Sequence, residues 1–195
     1  MKQSLTEQLE HGRMVSNLAY HIGKELGLTK EELNDLVVAG FFHDVGKTEI
    51  EEDFSAHEDG LMVVEELNSV RQHPIKGYEM LKRHGYNDRI CEAVLRHHEN
   101  YDGSGYPGNM EGWNIPIEAC ILRVCDVFCA LVSDRPYRKA FAPKAALEMM
   151  IEEVRKYDIK VFLAFQRIIH VDEEGTIALP DVPDEVRGVW KTCWI

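Results

Sequence analysis

The stretch from His97 to Pro107 combines several side chains that bind divalent metal ions. It contains two adjacent histidines, His97 and His98, two carboxylates, Glu99 and Asp102, and a Gly-Tyr-Pro turn. Imidazole and carboxylate together are typical ligands of divalent transition metals. We therefore interpret this stretch as part of a metal site.

A second group of such residues lies earlier in the chain. His43 and Asp44 are neighbours in the last turn of a predicted helix, with Lys47 shortly after, and His73 directly precedes a predicted helix start at Pro74. Because a carboxylate has two oxygens, Asp44 could bridge two adjacent ions, and a bridging carboxylate flanked by histidines is typical of two-metal hydrolytic sites. The alternative for His43 is an interaction with the negative end of the helix dipole.

Asp126 is the most informative single residue, because it lies inside the apolar run from Ala119 to Val132. An ionised carboxylate there costs several kcal/mol, roughly, unless it is paired or binds a metal. The alternative to a metal role is a buried pair with Arg123. The remaining histidines lack ligand-like neighbours, and we assign them to structural or surface positions: His21, His57, His84 and His170.

Composition narrows the class of protein. The chain has 195 residues and a formal net charge of −12, which argues against a surface for a nucleic-acid polymer but allows a small phosphorylated ligand. No apolar run reaches the ~18 residues of a membrane span, and the polar start lacks a signal peptide, so we expect no membrane association and a cytoplasmic location. The five cysteines form no CxxC pair and are expected to be reduced core residues.

Hydrophobic periodicity predicts an all-α fold, a helical bundle with a metal centre in its core. Helices are predicted over residues 5–26, 61–70, 74–84, 88–98, 116–133 and 159–170. One more is predicted from a capping box at Thr29 to about Gly46, and another begins at Pro143. Residues 48–60 are predicted to be irregular, and residues 99–115 to form a Gly-rich loop. We expect a catalytic domain over 1–170 and a C-terminal tail or hairpin, residues 171–195, packed on the same domain.

Several of these motifs together resemble the HD-GYP family, a branch of the HD metal-dependent phosphohydrolase superfamily. The matching segments are His11, His43–Lys47, His73–Gly77, His97–Pro107, Ile115-Pro116, Asp126 and Arg135–Arg138, which span roughly residues 7–150. Members of this bacterial, all-helical family hydrolyse cyclic di-GMP or related cyclic dinucleotides to pGpG or GMP, and they hold two or three metals, commonly iron or manganese.

The resemblance also implies roles for single residues. His43, Asp44 and Asp126 would hold one metal, with His11 nearby, and Asp44 would bridge to a second metal. The ligands of that second metal would be His73, His97 and His98. Some members hold a third ion through a Glu one turn before the first His, and Glu7 stands in that position.

Four further residues match the family's substrate-binding positions. Lys47 matches the lysine beside the scissile phosphate, and Tyr106 matches the tyrosine that lines the pocket. Arg135 and Arg138 match residues that grip substrate phosphates. Two departures concern Cys120, where the family usually has arginine, and the acidic segment from Thr48 to Gly60.

The leading interpretation is a cyclic dinucleotide phosphodiesterase in which a hydroxide shared by two metals attacks phosphorus, with Asp44 and Lys47 as the catalytic residues. Two alternatives stay open: an HD phosphohydrolase acting on another nucleotide, and a non-hydrolysing module that senses cyclic di-GMP. The resemblance also leaves open a contact with a diguanylate cyclase or with a second copy of the chain.

Overall fold

The computed structural model describes residues 5–54, 70–135 and 138–169. These ranges contain eight α-helices: α1 (Leu5–Glu25), α2 (Lys30–Phe42), α3 (Lys47–Phe54), α4 (His73–Arg83), α5 (Asp88–Arg96), α6 (Ile117–Leu131), α7 (Pro143–Glu152) and α8 (Ile159–Ile168). Two short 3-10 helices, Gly112–Asn114 and Val154–Lys156, complete the secondary structure of the described ranges, which otherwise hold only isolated β-bridges. The all-α prediction is confirmed.

Helix α6 forms the centre of the core and packs against α1, α5, α7 and α8. Most of its residues are buried, and the Phe128 ring contacts the Phe165 ring of α8 at a centroid distance of 5.0 Å. The cysteines of the described ranges are free and buried, as expected: Cys91, Cys120, Cys125 and Cys129. Because α6 is surrounded by other helices, a polar residue on it faces the interior of the bundle.

Helices α1 and α2 cross at very short range. A Cβ atom on Gly40 would lie 2.9 Å from the Cα atom of Ser16, which is closer than Cβ atoms come to other atoms in real structures. Helix α2 begins at the predicted capping box, in which the Thr29 side chain accepts from the Glu32 N–H and the Glu32 side chain accepts from the Thr29 N–H. The close crossing brings the end of α2 next to the first turns of α1.

Some predicted boundaries were wrong. Helix α2 ends at Phe42, so that His43 is its C-cap residue rather than part of its last turn, and His73 is the first residue of α4. The segment predicted to be irregular begins with α3, because Ile50 is buried and α3 packs on α4 despite its acidic composition. Residues 61–69 of the helix predicted over 61–70, and the tail over 171–195, lie outside the described residues.

In the ranges that the structure describes, no helix is both long enough and apolar enough to span a bilayer.

Candidate metal centre

Two groups of imidazole and carboxylate side chains lie together where the ends of three helices meet the interior of α1 and α6. We call them the Asp126 group, with His11, His43 and Asp126, and the Asp44 group, with Asp44, His73, His97 and His98; Asp44 belongs to the second group and lies on the side that faces the first. Within each group, one potential ligand atom per residue lies within 4.8 Å of the others. The structure therefore brings together seven of the eight residues predicted as metal ligands.

Asp126 lies among imidazoles and not against an arginine. Its Oδ1 atom is 3.0 Å from His11 Nε2 and 3.6 Å from His43 Nε2. Arg123 Nε instead donates to Asn100 Oδ1 at 2.9 Å. The alternative of a buried Asp126–Arg123 pair was wrong, and the cost of burying Asp126 is offset by histidine partners.

Asp44 lies between the two groups. Its Oδ2 atom is 3.4 Å from His43 Nε2 of the Asp126 group, and its Oδ1 atom is 3.2 Å from His73 Nε2. His73 Nε2 is in turn 3.2 Å from His97 Nε2. One carboxylate thus faces the ligand atoms of both groups, as a bridging ligand must.

Three imidazoles are oriented by the backbone that carries them. The Nδ1 atom of each contacts the carbonyl oxygen three residues earlier: His43 with Gly40 at 2.8 Å, His73 with Val70 at 2.5 Å, and His97 with Val94 at 2.6 Å. Because a carbonyl only accepts, each Nδ1 must carry the proton and donate it. Each Nε2 atom therefore faces the centre. On the neutral His97 ring this atom has a free lone pair, whereas on His43, which is protonated at pH 7, the lone pair becomes available only when the proton leaves.

The charges at the centre favour a cation. Burial alone would lower the pKa of His43, but the Asp44 and Asp126 carboxylates outweigh this effect and raise the pKa to about 10. Burial lowers the pKa of His98 to about 3 and that of His97 well below its ordinary value, so both rings stay neutral. Neutral imidazole is the form that binds metals.

The donor set fits divalent metal ions. Among the described residues, His43 Nε2, Asp44 Oδ1 and His11 Nδ1 are buried without a hydrogen-bond partner. His73 Nε2 lies 3.2 Å from Asp44 Oδ1, but the geometry is not that of a hydrogen bond. Among the described residues, Asp44 Oδ1 therefore has no hydrogen-bond donor. Buried polar atoms without partners are costly, and ions ligated by imidazole and carboxylate would satisfy them.

Metal binding to the two groups is expected to release about one proton per protein at pH 7. His43 carries a proton there because its pKa is raised, and a ligated ion must displace that proton. The apparent affinity for Mn²⁺ should therefore increase as the pH rises from 7 to 9. Calorimetric titration of metal-depleted protein in buffers of different ionisation enthalpy measures the release; a binding heat that is independent of the buffer would contradict this assignment.

Lys47 and Tyr106 lie against the Asp44 group. Lys47 Nζ donates to Asp44 Oδ2 at 2.6 Å, and although burial opposes its charge, the carboxylate raises its pKa. The Tyr106 ring stacks on His98 at a centroid distance of 4.8 Å and an angle of 23°. Burial raises the pKa of Tyr106 to about 12, so its hydroxyl stays protonated at neutral pH.

The two predicted phosphate-binding arginines differ in their surroundings. Arg135 lines a cleft together with His11 and Glu7. Arg138 instead donates to the Ala130 and Leu131 carbonyls at the end of α6. The guanidinium group of Arg138 is thereby occupied as a helix cap, and its predicted contact with substrate stays a prediction.

Three acidic residues singled out in the sequence lie outside both groups. Glu7 is exposed at the cleft beside His11, so a third ion at that position stays a prediction. Glu99 accepts from the Gly108 and Met110 backbone N–H groups at 2.6 and 3.0 Å. Asp102 accepts from Ser104. Glu99 and Asp102 therefore order the Gly-rich loop instead of joining either group.

Comparison with known proteins agrees with this site. A profile of the family described as HD domain matches residues 2–161. The chain therefore belongs to the HD domain family, in the HD-GYP branch whose motifs it carries.

Curated relatives cover most of the chain. It is 42% identical over 137 residues to "Cyclic di-GMP phosphodiesterase response regulator RpfG" of Xanthomonas campestris pv. campestris, covering 68% of this chain and 35% of that protein. It is 33% identical over 155 residues to "3'3'-cGAMP-specific phosphodiesterase 1" of Vibrio cholerae, covering 78% and 36%. This chain thus spans little more than a third of the length of these relatives.

Solved structures share the fold. Bd1817 of Bdellovibrio bacteriovorus, a HDG"Y"P protein, superposes with a TM-score of 0.67 at 18% identity, covering 86% of this chain and 54% of that one. The HD domain of the Listeria monocytogenes phosphodiesterase PgpH, in complex with cyclic-di-AMP, gives a TM-score of 0.59 at 16% identity, covering 83% and 88%. At these identities the likeness shows the fold alone.

Proposed function

We propose that this protein is a metal-dependent phosphodiesterase that hydrolyses a cyclic dinucleotide, cyclic di-GMP or a close relative, to pGpG or GMP. The observation that carries the proposal is the position of Asp44. Its two oxygens face two separate imidazole-rich groups, and Lys47 contacts the same carboxylate. This is the arrangement of side chains expected of a two-metal site for phosphoryl chemistry.

Two ions, iron or manganese, would be held by the two groups. His11, His43 and Asp126 would hold one ion, and His73, His97 and His98 the other, with Asp44 shared. Bound divalent ions lower the pKa of coordinated water and take up charge on phosphoryl oxygens. A third ion at Glu7 is an open extension of the proposal.

The side chains around the groups supply the rest of the catalytic surface. Lys47 remains charged and, next to Asp44, is placed to stabilise charge that develops on the phosphoryl oxygens. Tyr106 covers His98 and limits access of water to that side of the centre. Arg135, at the cleft beside His11, presents a guanidinium fork that suits a phosphodiester.

The names of the relatives support a cyclic dinucleotide as the substrate class, and they differ in which nucleobases the substrate carries. The relatives from Xanthomonas and Vibrio are described as phosphodiesterases for cyclic di-GMP and for 3'3'-cGAMP, respectively. We therefore expect cleavage of at least one 3′,5′-linked cyclic dinucleotide. A cytoplasmic location, and contacts with a diguanylate cyclase or a second copy, stay predictions.

Product analysis with two arginine variants tests the proposal. Protein loaded with iron or manganese should release linear product from cyclic di-GMP or 3'3'-cGAMP. Arg135→Ala should lower kcat/KM by about 10- to 100-fold, the effect of about 1.5–3 kcal/mol for a charge-assisted hydrogen bond. Metal content should not change, because Arg135 belongs to neither group.

Arg138→Ala is the matched control. It removes donors to the Ala130 and Leu131 carbonyls, so its main effect should be a lower free energy of unfolding, by about 1–3 kcal/mol. Wild-type protein that binds cyclic dinucleotides without releasing product would instead indicate a sensor. Cleavage of mononucleotides alone would indicate another HD phosphohydrolase.

A further inference from the structure

One guanidinium group and two aromatic rings form a stack at one edge of the Asp44 group. The Arg71 guanidinium carbon lies 5.5 Å from the centroid of the Tyr106 ring, and the Tyr106 ring stacks on His98. We refer to these residues as the Arg71–Tyr106–His98 stack. It connects an exposed cation directly to a ligand-type histidine of the centre.

The backbone fixes both ends of this stack. The Tyr106 N–H donates to the His98 carbonyl at 3.1 Å, which places the ring over His98. Arg71 precedes His73 by two residues, in the turn where His73 Nδ1 contacts the Val70 carbonyl. Arg71 is therefore positioned by the same turn that orients a predicted metal ligand, although no sequence motif identified it.

Arg71 differs from the neighbouring cations in having no acidic or carbonyl partner in the described ranges. Lys47 contacts Asp44, Arg123 donates to Asn100, and Arg138 caps α6. Among the described residues, the Arg71 guanidinium interacts with the Tyr106 ring. A guanidinium group that stacks on an aromatic ring does not use its N–H donors for that contact. These donors, which lie in the plane of the guanidinium, stay free to bind an anion.

The position of Arg71 indicates which part of a substrate it would meet. In the proposed function, the phosphodiester that is cleaved lies at Asp44 and Lys47, whereas Arg71 contacts the Tyr106 ring, which stacks on His98. A cyclic dinucleotide carries a second phosphodiester across its ring, and a guanidinium fork matches its two free oxygens.

We propose that Arg71, supported by Tyr106, binds the second phosphodiester of the cyclic dinucleotide and so selects two-phosphate substrates. This inference rests on the proposed function and adds a substrate-binding residue to it.

The test compares a two-phosphate with a one-phosphate substrate. Arg71→Met keeps an apolar stem that can cover Tyr106 and removes the charge. We expect its KM for cyclic di-GMP to rise about 10-fold or more, with little change in kcat or metal content. Activity toward bis(p-nitrophenyl) phosphate, which has one phosphate, should fall much less, so that the ratio of the two kcat/KM values decreases about 10-fold.

Arg167→Met is the control, because Arg167 is exposed and pairs with Glu25 on α1, and it should leave this ratio unchanged. An unchanged KM for cyclic di-GMP in Arg71→Met would overturn the inference, and so would an equal loss on both substrates, which indicates a structural role in packing the loop. If wild-type protein cleaves bis(p-nitrophenyl) phosphate but no cyclic dinucleotide, the proposed function fails first, and the inference with it.

Discussion

Asp44→Ala should abolish hydrolysis of cyclic dinucleotides and lower the content of both metal ions. The substitution removes the one carboxylate that faces both groups, through Oδ2 toward His43 and Oδ1 toward His73. It also leaves the half-buried Lys47 ammonium without its carboxylate partner. We expect kcat to decrease by about 10³-fold or more, beyond the 10–100-fold typical of residues that only support metal ligands.

Metal analysis together with the rate of product release measures this effect. Asp88→Ala is the matched control, since the Asp88 side chain is 84% exposed and pairs with Lys82 at the surface. Circular dichroism should show a folded Asp44→Ala protein, because apolar packing of the helices supplies most of the stability. Near-normal turnover in Asp44→Ala would rule out a bridging role.

Gly46→Ala should have the second-largest effect, although Gly46 has no functional group. A Cβ atom at this position would overlap the His73 carbonyl oxygen and the Gly77 nitrogen, both of which are backbone atoms that cannot rotate away. The start of α3 and the start of α4 would have to separate, which moves His73 relative to Asp44. A displacement of about 1 Å can cost about 10²-fold in rate, and the overpacking itself costs about 1–3 kcal/mol.

Gly85→Ala separates this effect from ordinary backbone strain. Gly85 has a φ of +79° but open space around it, so alanine there should cost about 1–2 kcal/mol of stability without moving the site. Both variants should therefore lose thermal stability, whereas only Gly46→Ala should lose kcat. Equal activity in Gly46→Ala and Gly85→Ala would show that the α3–α4 contact does not position His73.

The sequence identified the side chains that the structure brings together because most of them occur in short local motifs. His43 with Asp44 and His97 with His98 each place two ligand-type residues on one helix end. Asp126 was identified by the contrast between its charge and its apolar surroundings. The mutual arrangement followed from the family resemblance, since spacing along the chain does not show which helix ends meet.

The roles of several polar residues could not be predicted from the sequence. Whether Glu99 ligates a metal or holds loop N–H groups depends on how the loop folds back, and local composition is the same in both cases. Arg138 was interpreted through its motif, whereas the structure shows it at the carbonyls of α6. Helix α3 was missed because its stability comes from packing on α4, which outweighs an unfavourable acidic composition.

The contacts between the histidine Nδ1 atoms and their own backbone carbonyls have a thermodynamic consequence. His43, His73 and His97 lose their side-chain rotational freedom when the helices form, before any ion arrives. The conformational entropy of these rings is therefore lost during folding, and ion binding does not have to supply it again. Affinity at this centre should depend mainly on charge and desolvation, so that substitutions in distant loops leave the metal dissociation constant nearly unchanged.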